Sequence, residues 1–436
     1  MKDYRADLRD IFTAAVEYAD PERLVREAVM DNPDFEYTPE KIYMFAFGKA
    51  ACGMARGFLS VCQVDKGIVV SNESPVCQFP ENIEVIKAGH PLPNEGSVVA
   101  AEKMLSLASQ ADEETLCVFL VSGGGSAILC SPAFGISLDE KMKTFDILIK
   151  SGADIEEINT VRRHISSIKG GRLAEMASPA KSVTLAISDV LSGARNAIAS
   201  GATYYDETTW SDAIEVIERY QLKDKLPKKV IDVLISGENG KFPDTVKGQD
   251  SDYNFHNIGT NMGGIQAAGE KAYEMGYRTK IYGQLESDAV DAAEEMASQI
   301  GENLMTYSDN KPICMVFGGE VTVNVRGEGK GGRCQQLAIE YLLIDKPAET
   351  YALCASTDGM DGNTDAAGAY VDELVDKDDA EVFALNNNAY EFFAKNDALM
   401  KTGLTGTNIN DVYIILIPSS ELEGQLQALA SKSSCI

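Results

Sequence analysis

The chain is poor in the residues that build metal centres and disulfide frameworks. It has three histidines in 436 residues, and they lie too far apart for the spacing of a zinc site. Nine cysteines are scattered along the chain and none form a C-x-x-C pair. This odd number, in a chain that begins without an apolar leader, indicates free thiols. The composition therefore argues against a zinc site and against a disulfide-stapled fold.

Positive charge and long apolar runs are also scarce. The chain has 39 lysines and arginines against 67 aspartates and glutamates, for a net charge of −28. It lacks the basic footprint of a nucleic-acid-binding protein and any uncharged apolar run long enough to cross a membrane. Charges alternate over residues 1–7, unlike a signal peptide. We therefore expect a cytoplasmic protein with no nucleic-acid or membrane partner, and the sequence leaves open whether it forms a homo-oligomer.

What the chain does contain is a series of apolar strands that end in glycine-rich turns. The clearest is the run of six apolar residues Leu116–Val121, followed by Ser122-Gly123-Gly124-Gly125-Ser126. The run predicts a strand buried on both faces. Glycine lets a ligand approach the backbone, and the N–H groups of such a turn suit an anion. The pattern predicts a phosphate site at the carboxyl end of a parallel strand; a tight turn without a ligand is the alternative.

Turns of this kind recur along the chain, at residues 48, 122–125, 318–332, 359–368 and 403–406. They carry the residue types that phosphoryl transfer uses to neutralise charge and align reactants. Strands and helices alternate around them, which predicts a mainly parallel sheet with both faces covered. The pattern predicts a phosphate-handling α/β enzyme. Other segments predict a linker over 227–252 and two strands joined by a short turn, 313–317 and 321–325.

Single cations and a histidine mark the predicted sheet edge. Lys49 lies at a strand-to-helix junction, where it meets a ligand or is an ordinary surface lysine. His90 lies in a rigid loop between Gly89 and Pro91, where it acts on a substrate or holds the loop together. Four cations stand in the eleven residues from 162 to 172. Their side chains suit a carboxylate or phosphate, although some are expected to be surface charges.

Aspartates follow two further strands. Asp189 comes after the strand 182–187, where it suits Mg²⁺ or caps the next helix. Three aspartates within eight residues, from Asp358 through Asp361 to Asp365, suggest cation chemistry. Their spacing does not match an EF-hand, and Asx-turns are the alternative interpretation.

The ordered set of motifs closely resembles the glycerate 2-kinase family, also called class II or MOFRL-type glycerate kinases. The resemblance covers nearly the whole chain. It is carried by Ala88-Gly-His-Pro-Leu-Pro-Asn, Val121-Ser-Gly-Gly-Gly-Ser-Ala, Ile158-Asn-Thr-Val-Arg-Arg-His, Ile168-Lys-Gly-Gly-Arg-Leu-Ala, Ile198-Ala-Ser-Gly, Gly318-Gly-Glu-Val-Thr-Val, Gly331-Gly-Arg, Thr357-Asp-Gly-Met-Asp-Gly-Asn-Thr-Asp-Ala-Ala-Gly-Ala and Thr405-Gly-Thr-Asn-Ile-Asn-Asp.

The resemblance implies phosphorylation of D-glycerate to 2-phosphoglycerate with ATP and Mg²⁺. It implies an α/β fold of two domains with the site in the cleft between them. The first, over 1–240, is a Rossmann-like three-layer α/β/α domain with a parallel sheet. The second, over 241–436, is a MOFRL-type domain with a mixed sheet. The resemblance leaves open whether the helices of residues 1–40 pack on this second domain.

The resemblance also assigns roles to residues. Lys49 and Arg333 serve the transferred phosphoryl group as catalytic cations. Either Arg162 or Arg163 holds the substrate carboxylate, and Asp189 with Asp358 or Asp361 binds Mg²⁺. The remaining substrate or phosphate contacts are Ser122, Gly123, Gly124, Gly125, Ser126, Lys169 and His90, and the nucleotide contacts are Gly319, Glu320, Gly331, Gly332, Thr357 and Asn408.

Some positions depart from the family pattern. The family commonly has Asn-Gln-Glu after its Gly-Gly-Arg motif, where this chain has Cys334, Gln335 and Gln336. The segment Ser192–Ala194 replaces a Gly-Asp pair, and Ala202 replaces a proline. These changes keep alternatives open: a kinase for a related hydroxy or sugar acid, a non-catalytic ligand sensor, or a hydroxypyruvate reductase. The last would need a dinucleotide-binding fingerprint, in which a G-x-G-x-x-G turn follows a strand and an acid lies downstream.

Overall fold

The chain divides into two compact units. The computed structural model describes residues 2–35, 39–72, 78–191, 193–249, 254–306, 311–346 and 348–420. The first unit is Pro21–Ile258, and the second is Met1–Asp20 together with Gly259–Ile436. The opening helix α1 (Tyr4–Tyr18) thus belongs to the second unit. This division lies further along the chain than the expected boundary after residue 240, because one more strand joins the first sheet.

The first unit is built on a parallel sheet, as the strand–helix alternation predicted. Its strand order is β3-β2-β1-β4-β5-β6, and the pairs from β3 through β5 are all parallel. Every residue of β4 is buried, because apolar side chains on both faces are covered by other elements. The strands are β1 (Lys41–Phe47), β2 (Lys66–Ser71), β3 (Ile83–Lys87), β4 (Thr115–Ser122), β5 (Lys181–Ile187) and β6 (Asn254–Gly259).

Four helices of this unit begin at well-formed caps. Capping boxes, in which two side chains satisfy the first N–H groups, start them at Asn94, Ser137, Asp154 and Thr209. The helices are α2 (Pro21–Asp31), α3 (Ala51–Leu59), α4 (Glu95–Ala108), α5 (Gly125–Ile128), α6 (Leu138–Ser151), α7 (Ile155–His164), α8 (Arg172–Met176), α9 (Trp210–Arg219) and α10 (Lys228–Glu238), with short 3₁₀ turns at Pro33–Phe35 and Ile198–Ser200.

The prediction of a linker over 227–252 is wrong for its first half. Helix α10 occupies that position, and its residues Val230 and Leu234 are buried. They pack with Leu148, Val161 and Trp210 in a second hydrophobic core, apart from the sheet core. The helical spacing of the apolar residues decides the structure here, while the flanking lysines, glycines and prolines obscure it in the sequence.

The second unit has the mixed sheet that the family resemblance implied. Its order is β11-β10-β9-β12-β8-β7. Strand β12 runs antiparallel to both β8 and β9, while β7 is parallel to β8. The strands are β7 (Arg278–Leu285), β8 (Ile313–Gly319), β9 (Tyr351–Ser356), β10 (Gly368–Val371), β11 (Leu399–Met400) and β12 (Asp411–Ile417); the helices besides α1 are α11 (Asn261–Glu274), α12 (Ala289–Thr306), α13 (Arg333–Leu343), α14 (Ala380–Leu385) and α15 (Ala389–Lys395).

The prediction of a second strand over 321–325 is also wrong. Strand β8 ends at Gly319, and the segment that follows makes a single bridge between Thr322 and Asp288. Its alternating valines have the period of a strand, but they line a cavity instead of pairing along a sheet. Within the described ranges, no helix is long and apolar enough to cross a membrane.

Candidate functional site

In the first unit, the predicted site residues gather at the carboxyl edge of the sheet. Because the strands are parallel, the segments after β1, β3, β4 and β5 all leave the sheet at this edge. The turn after β1 is joined to the turn after β4 by two hydrogen bonds. The Lys49 N–H donates to the Gly123 carbonyl at 2.9 Å, and the Ala50 N–H donates to Ser122 Oγ at 3.0 Å.

The glycine turn after β4 is surrounded closely by functional side chains. A Cβ atom on Gly123 would lie 2.2 Å from Asp189 Oδ2, and one on Gly124 would lie 2.9 Å from His90 Cδ2 and 3.2 Å from Lys49 Cγ. Glycine is required in this turn because side chains already occupy the space. The fold thus brings Lys49, His90 and Asp189 together around the turn.

A chain of polar side chains leads away from this turn. The Oγ atoms of Ser126 and Ser200 are 2.8 Å apart. Ser200 Oγ donates to Asn159 Oδ1 at 3.2 Å, and Arg162 Nη1 reaches the same oxygen at 3.5 Å. Ser200 and its neighbour Ala199 are buried with φ values of 56° and 50°, a conformation that costs energy for residues with side chains. Sequence reasoning assigned no role to Ser200 or Asn159.

The two adjacent arginines of α7 have different environments. Arg163 is fully buried and donates to Asp206 Oδ1 at 2.9 Å, so its charge is compensated inside the protein. Arg162 is half-buried, with its guanidinium carbon 4.6 Å from the centre of the Phe145 ring. The Nε atoms of both arginines lack a hydrogen-bond partner within the described residues, so the two differ in burial and in the ion pair that Arg163 makes with Asp206. Arg162 is therefore the better placed of the two to bind a ligand's carboxylate.

Two buried lysines lie behind this edge. Lys169 Nζ donates to the Ala199 carbonyl at 3.1 Å, and Lys141 Nζ donates to the Ser131 carbonyl at 3.2 Å. Burial lowers the pKa of Lys141 to about 8 and holds the pKa of Lys169 well below its usual value, and the charge of Arg162 lowers both further. Lys141 was missed by sequence reasoning because it resembles any polar position of an amphipathic helix.

The remaining cation of the basic segment has a structural role. Arg172 Nη1 donates to the main-chain carbonyls of Arg163, Ser166 and Lys169 at 3.0 to 3.2 Å. These bonds hold the turn that follows α7, and so they position the segment that carries Lys169.

In the second unit, Arg333 is the first residue of α13 and is held by two carboxylates. Its Nε and Nη2 donate to the two oxygens of Asp411, at 2.5 and 3.0 Å. Its Nη1 donates to Glu320 Oε1 at 2.7 Å. Asp411 is fully buried and Glu320 is exposed. The guanidinium is therefore fixed on one side and open to exchange its partner on the other.

The two aspartates predicted to bind metal in this unit already serve the backbone. Both oxygens of Asp361 accept N–H groups at the start of α13, from Cys334 at 3.0 Å and Gln335 at 2.8 Å. Burial raises the pKa of Asp361 to about 7, against the effect of these donors. Asp358 Oδ1 accepts the Met360 N–H at 3.0 Å, as in an Asx-turn.

The other residues expected to contact nucleotide line the same loops. Thr357 Oγ1 donates to the Asn410 carbonyl at 2.7 Å, and Asn408 Oδ1 accepts the Asn410 N–H at 3.1 Å. Gly319 ends β8 with a φ of 149°. A Cβ on Gly332 would lie 2.3 Å from Asp361 Oδ1. These polar groups shape the turns around α13.

The described ranges hold no group of three or more histidine, cysteine or acidic side chains arranged for a metal ion. Mg²⁺ in phosphoryl-transfer sites commonly uses one or two carboxylates together with phosphate oxygens and water. Asp189, half-buried beside the glycine turn, fits that requirement better than Asp358 or Asp361. The cysteines placed by the structure, from Cys52 to Cys354, carry free thiols.

Comparison with known proteins gives consistent matches along the chain. Residues 7–235 match the family model described as a domain of unknown function, DUF4147, and residues 313–411 match the MOFRL family. A glycerate 2-kinase of Pyrococcus horikoshii is 38% identical over 93% of this chain and 95% of its own. A putative hydroxypyruvate reductase of Agrobacterium vitis is 36% identical over 95% of this chain and 94% of its own. The crystal structure of a glycerate kinase from Thermotoga maritima superposes with a TM-score of 0.83, at 36% identity, over 93% of this chain and 97% of that one.

Proposed function

The chain belongs to the glycerate 2-kinase family, and from that premise we propose that it phosphorylates D-glycerate on the 2-hydroxyl, with ATP as the donor and Mg²⁺ as the cofactor. The observation that supports this most is the edge of the first sheet. There Lys49, His90 and Asp189 surround the Ser122–Ser126 turn, and the turn connects through Ser200 and Asn159 to Arg162.

The reaction that we propose is a direct transfer. The 2-hydroxyl oxygen of glycerate forms a bond to the γ-phosphorus of ATP, and the bond from that phosphorus to the β–γ bridging oxygen breaks. The bond's electron pair leaves with ADP, and the hydroxyl proton passes to a base at the same edge. His90 borders the glycine turn and is our candidate for that base, since we assign Asp189 to Mg²⁺.

Charge neutralisation is the main work of the protein in such a transfer. We assign Lys49 to the phosphoryl oxygens, because its side chain lies against the glycine turn. Arg162 would bind the carboxylate of glycerate, and the buried ammonium group of Lys141 would strengthen the positive potential around it. Asp189 would bind Mg²⁺, which lowers the charge of the triphosphate when it is bound.

In the second unit, Arg333 is the residue that we assign to the nucleotide phosphates. Its contact with the exposed Glu320 is the one that a phosphate oxygen would replace, since the contact with buried Asp411 keeps the fork in place. Gly331 and Gly332 precede Arg333 in the chain, and the first N–H groups of α13 are already bound by Asp361, so the guanidinium is the group that we assign to the phosphates.

Direct identification of the reaction products tests the proposal. The purified chain is mixed with D-glycerate, ATP and Mg²⁺, and the products are identified by ³¹P NMR. We expect ADP and 2-phosphoglycerate in equal amounts, with little product from L-glycerate or without Mg²⁺. Formation of 3-phosphoglycerate, or turnover only with another hydroxy acid, would contradict the proposed acceptor.

Hydroxypyruvate reductase is the second candidate, because a relative of nearly equal identity carries that name. It predicts oxidation of D-glycerate with reduction of NAD, which is measured by absorbance of the reduced nicotinamide. We expect no such change. A ligand sensor predicts binding of glycerate or ATP without any product at high enzyme concentration.

A further inference from the structure

A cavity of about 330 Å³ lies in the second unit beside Arg333. One wall is the segment after β8, with Val321, Val323 and Val325, and the opposite wall is the glycine-rich loop that precedes α13. Its size is at the lower end of the range for pockets that hold small organic ligands.

The valine wall is apolar from floor to rim. Alternate residues of an extended segment point to the same side, so the three valines face the cavity together. Val321 is 2% exposed and Val325 is 78% exposed, which places one at the base and the other at the mouth. In a chain with a net charge of −28, Arg333 is the one charged residue among the described residues of this lining.

The opposite wall is preformed. Asn387 Oδ1 accepts the N–H groups of Arg326 at 2.6 Å and Gly327 at 3.0 Å. A Cβ on Gly329 would lie 2.5 Å from the Asn386 carbonyl oxygen, so only glycine lets the loop lie flat there. These contacts hold the loop that forms this wall in place.

We propose that this cavity binds the purine base of a nucleotide, with Arg333 at its phosphate end. The proposal rests on the proposed function, since it names the base subsite of that reaction's donor. A planar base has apolar faces that suit the valine wall, and a phosphate would meet the single cation. A three-carbon acid suits this wall poorly, because it is small, charged and mostly polar.

Of the nucleotide residues expected from sequence, Gly331 and Gly332 line this cavity. The three valines were not expected to contact the nucleotide. In sequence they alternate as in a strand. In the structure their segment makes a single bridge to another segment, and the valines line the cavity.

The test compares binding of ATP with binding of inorganic tripolyphosphate, both with Mg²⁺, by isothermal titration calorimetry. Tripolyphosphate keeps the charged tail and lacks the base. We expect the wild-type protein to prefer ATP by about tenfold or more, because base burial adds apolar contact. The variant Val325→Asp should reduce this ratio of affinities to near one. An added negative charge weakens the binding of both ligands, and this general effect cancels in the ratio of their affinities.

Leu374→Asp is the matched control, because Leu374 is 69% exposed in the same unit and does not line the cavity. It should keep the wild-type ratio. Val323→Phe, which fills the cavity without adding charge, should also lower the ratio, and thermal unfolding checks that each variant is folded. A wild-type ratio near one, or a ratio unchanged in both valine variants, would overturn the base site.

These results separate the base site from the proposed activity. If the wild-type protein prefers ATP and the valine variants lose that preference, the base site stands even where no phosphoglycerate forms. If phosphoglycerate forms and the variants keep the preference, the activity stands and the base site is wrong.

Discussion

Arg333 and Asp411 form a two-point ion pair between the first residue of α13 and the first residue of β12. The Nη2–Oδ1 distance is 3.0 Å, and Tyr413 donates a third hydrogen bond to the same carboxylate at 3.1 Å. Because Asp411 is fully buried, its position is determined by the sheet. The ion pair therefore fixes the position of the Arg333 guanidinium relative to the sheet.

Arg333→Lys should lower kcat/KM by about 100-fold or more, because an ammonium is a point charge that cannot copy the two-point fork or reach a phosphate at the same time. Steady-state kinetics with ATP and D-glycerate measure the change. Arg219→Lys serves as the control, since Arg219 makes exposed ion pairs in the first unit. Equal kinetics for Arg333→Lys and wild type would remove Arg333 from the site.

Lys49→Ala should reduce kcat by about 100- to 1000-fold while the protein stays folded, because a cation that faces developing charge contributes a few kcal/mol to the barrier. The loss is measured by initial rates and folding by circular dichroism. Lys103→Ala is the matched control, since Lys103 pairs with Glu84 on the surface. A variant at Lys49 with wild-type turnover would reject the assignment.

Arg162→Gln and Arg163→Gln should have opposite signatures. Arg162→Gln should raise the KM for D-glycerate about tenfold or more with little change in unfolding temperature, because it removes a charged hydrogen bond to the carboxylate. Arg163→Gln should lower the free energy of unfolding by about 3 kcal/mol, because the buried carboxylate of Asp206 loses its partner. Kinetics and denaturant unfolding separate the two, and an exchange of the signatures would show that Arg163 binds the substrate.

Lys141 should make substrate binding depend on pH. Burial lowers the pKa of Lys141 to about 8, so the ammonium loses its proton as the pH rises through that value and the positive potential at Arg162 falls. The KM for D-glycerate should therefore rise between pH 7 and 9, by about severalfold. In Lys141→Met this rise should disappear, and the KM should be high at all pH values.

The same pKa shift has a definite effect on stability. In the folded state Lys141 binds fewer protons than in the unfolded state between pH 8 and the ordinary lysine value of 10.5. Its contribution to stability therefore increases with pH across that interval and is lost as the pH falls through 8. Lys346 is the matched control, because burial also lowers the pKa of Lys346 to about 8 while its ammonium donates to the carbonyls of Tyr341 and Ile344 in the second unit. Lys346→Met should alter the pH dependence of stability and leave that of KM intact; a KM profile altered equally in both variants would contradict the role of Lys141.

The strands and their glycine turns were predictable because their signals are local. Six apolar residues precede Ser122, and the turn needs glycine at the positions where the sequence has it. The predictions of a parallel first sheet and a mixed second sheet are confirmed. The roles of Lys49, Arg162 and Asp189 in the reaction stay predictions, although the structure places all three near the same turn or on the polar chain that leaves it.

Long-range pairing explains what the sequence did not reveal. Ser200 forms hydrogen bonds with Asn159, which is 41 positions away in the sequence, and with Ser126, which is 74 positions away. The residues next to Ser200 in the sequence do not indicate either partner. Alternation of apolar residues is also insufficient to predict a strand when the segment has no neighbouring strand to pair with. The valines from Val321 to Val325 alternate in this way and line a cavity instead. Asp361 is of a residue type that binds metal, but its oxygens accept N–H groups at the start of a helix, beginning with that of Cys334, which lies 27 residues earlier.

The path of the chain through its two units has a consequence for synthesis and cleavage. Helix α1 belongs with the part that begins at Gly259, so the polypeptide passes from one unit to the other twice, after Asp20 and after Ile258. The inserted unit has all its residues when the ribosome reaches Ile258, whereas α1 must wait for its packing partners. One cut at either passage leaves the two units joined covalently through the other, and two cuts are needed to break both connections.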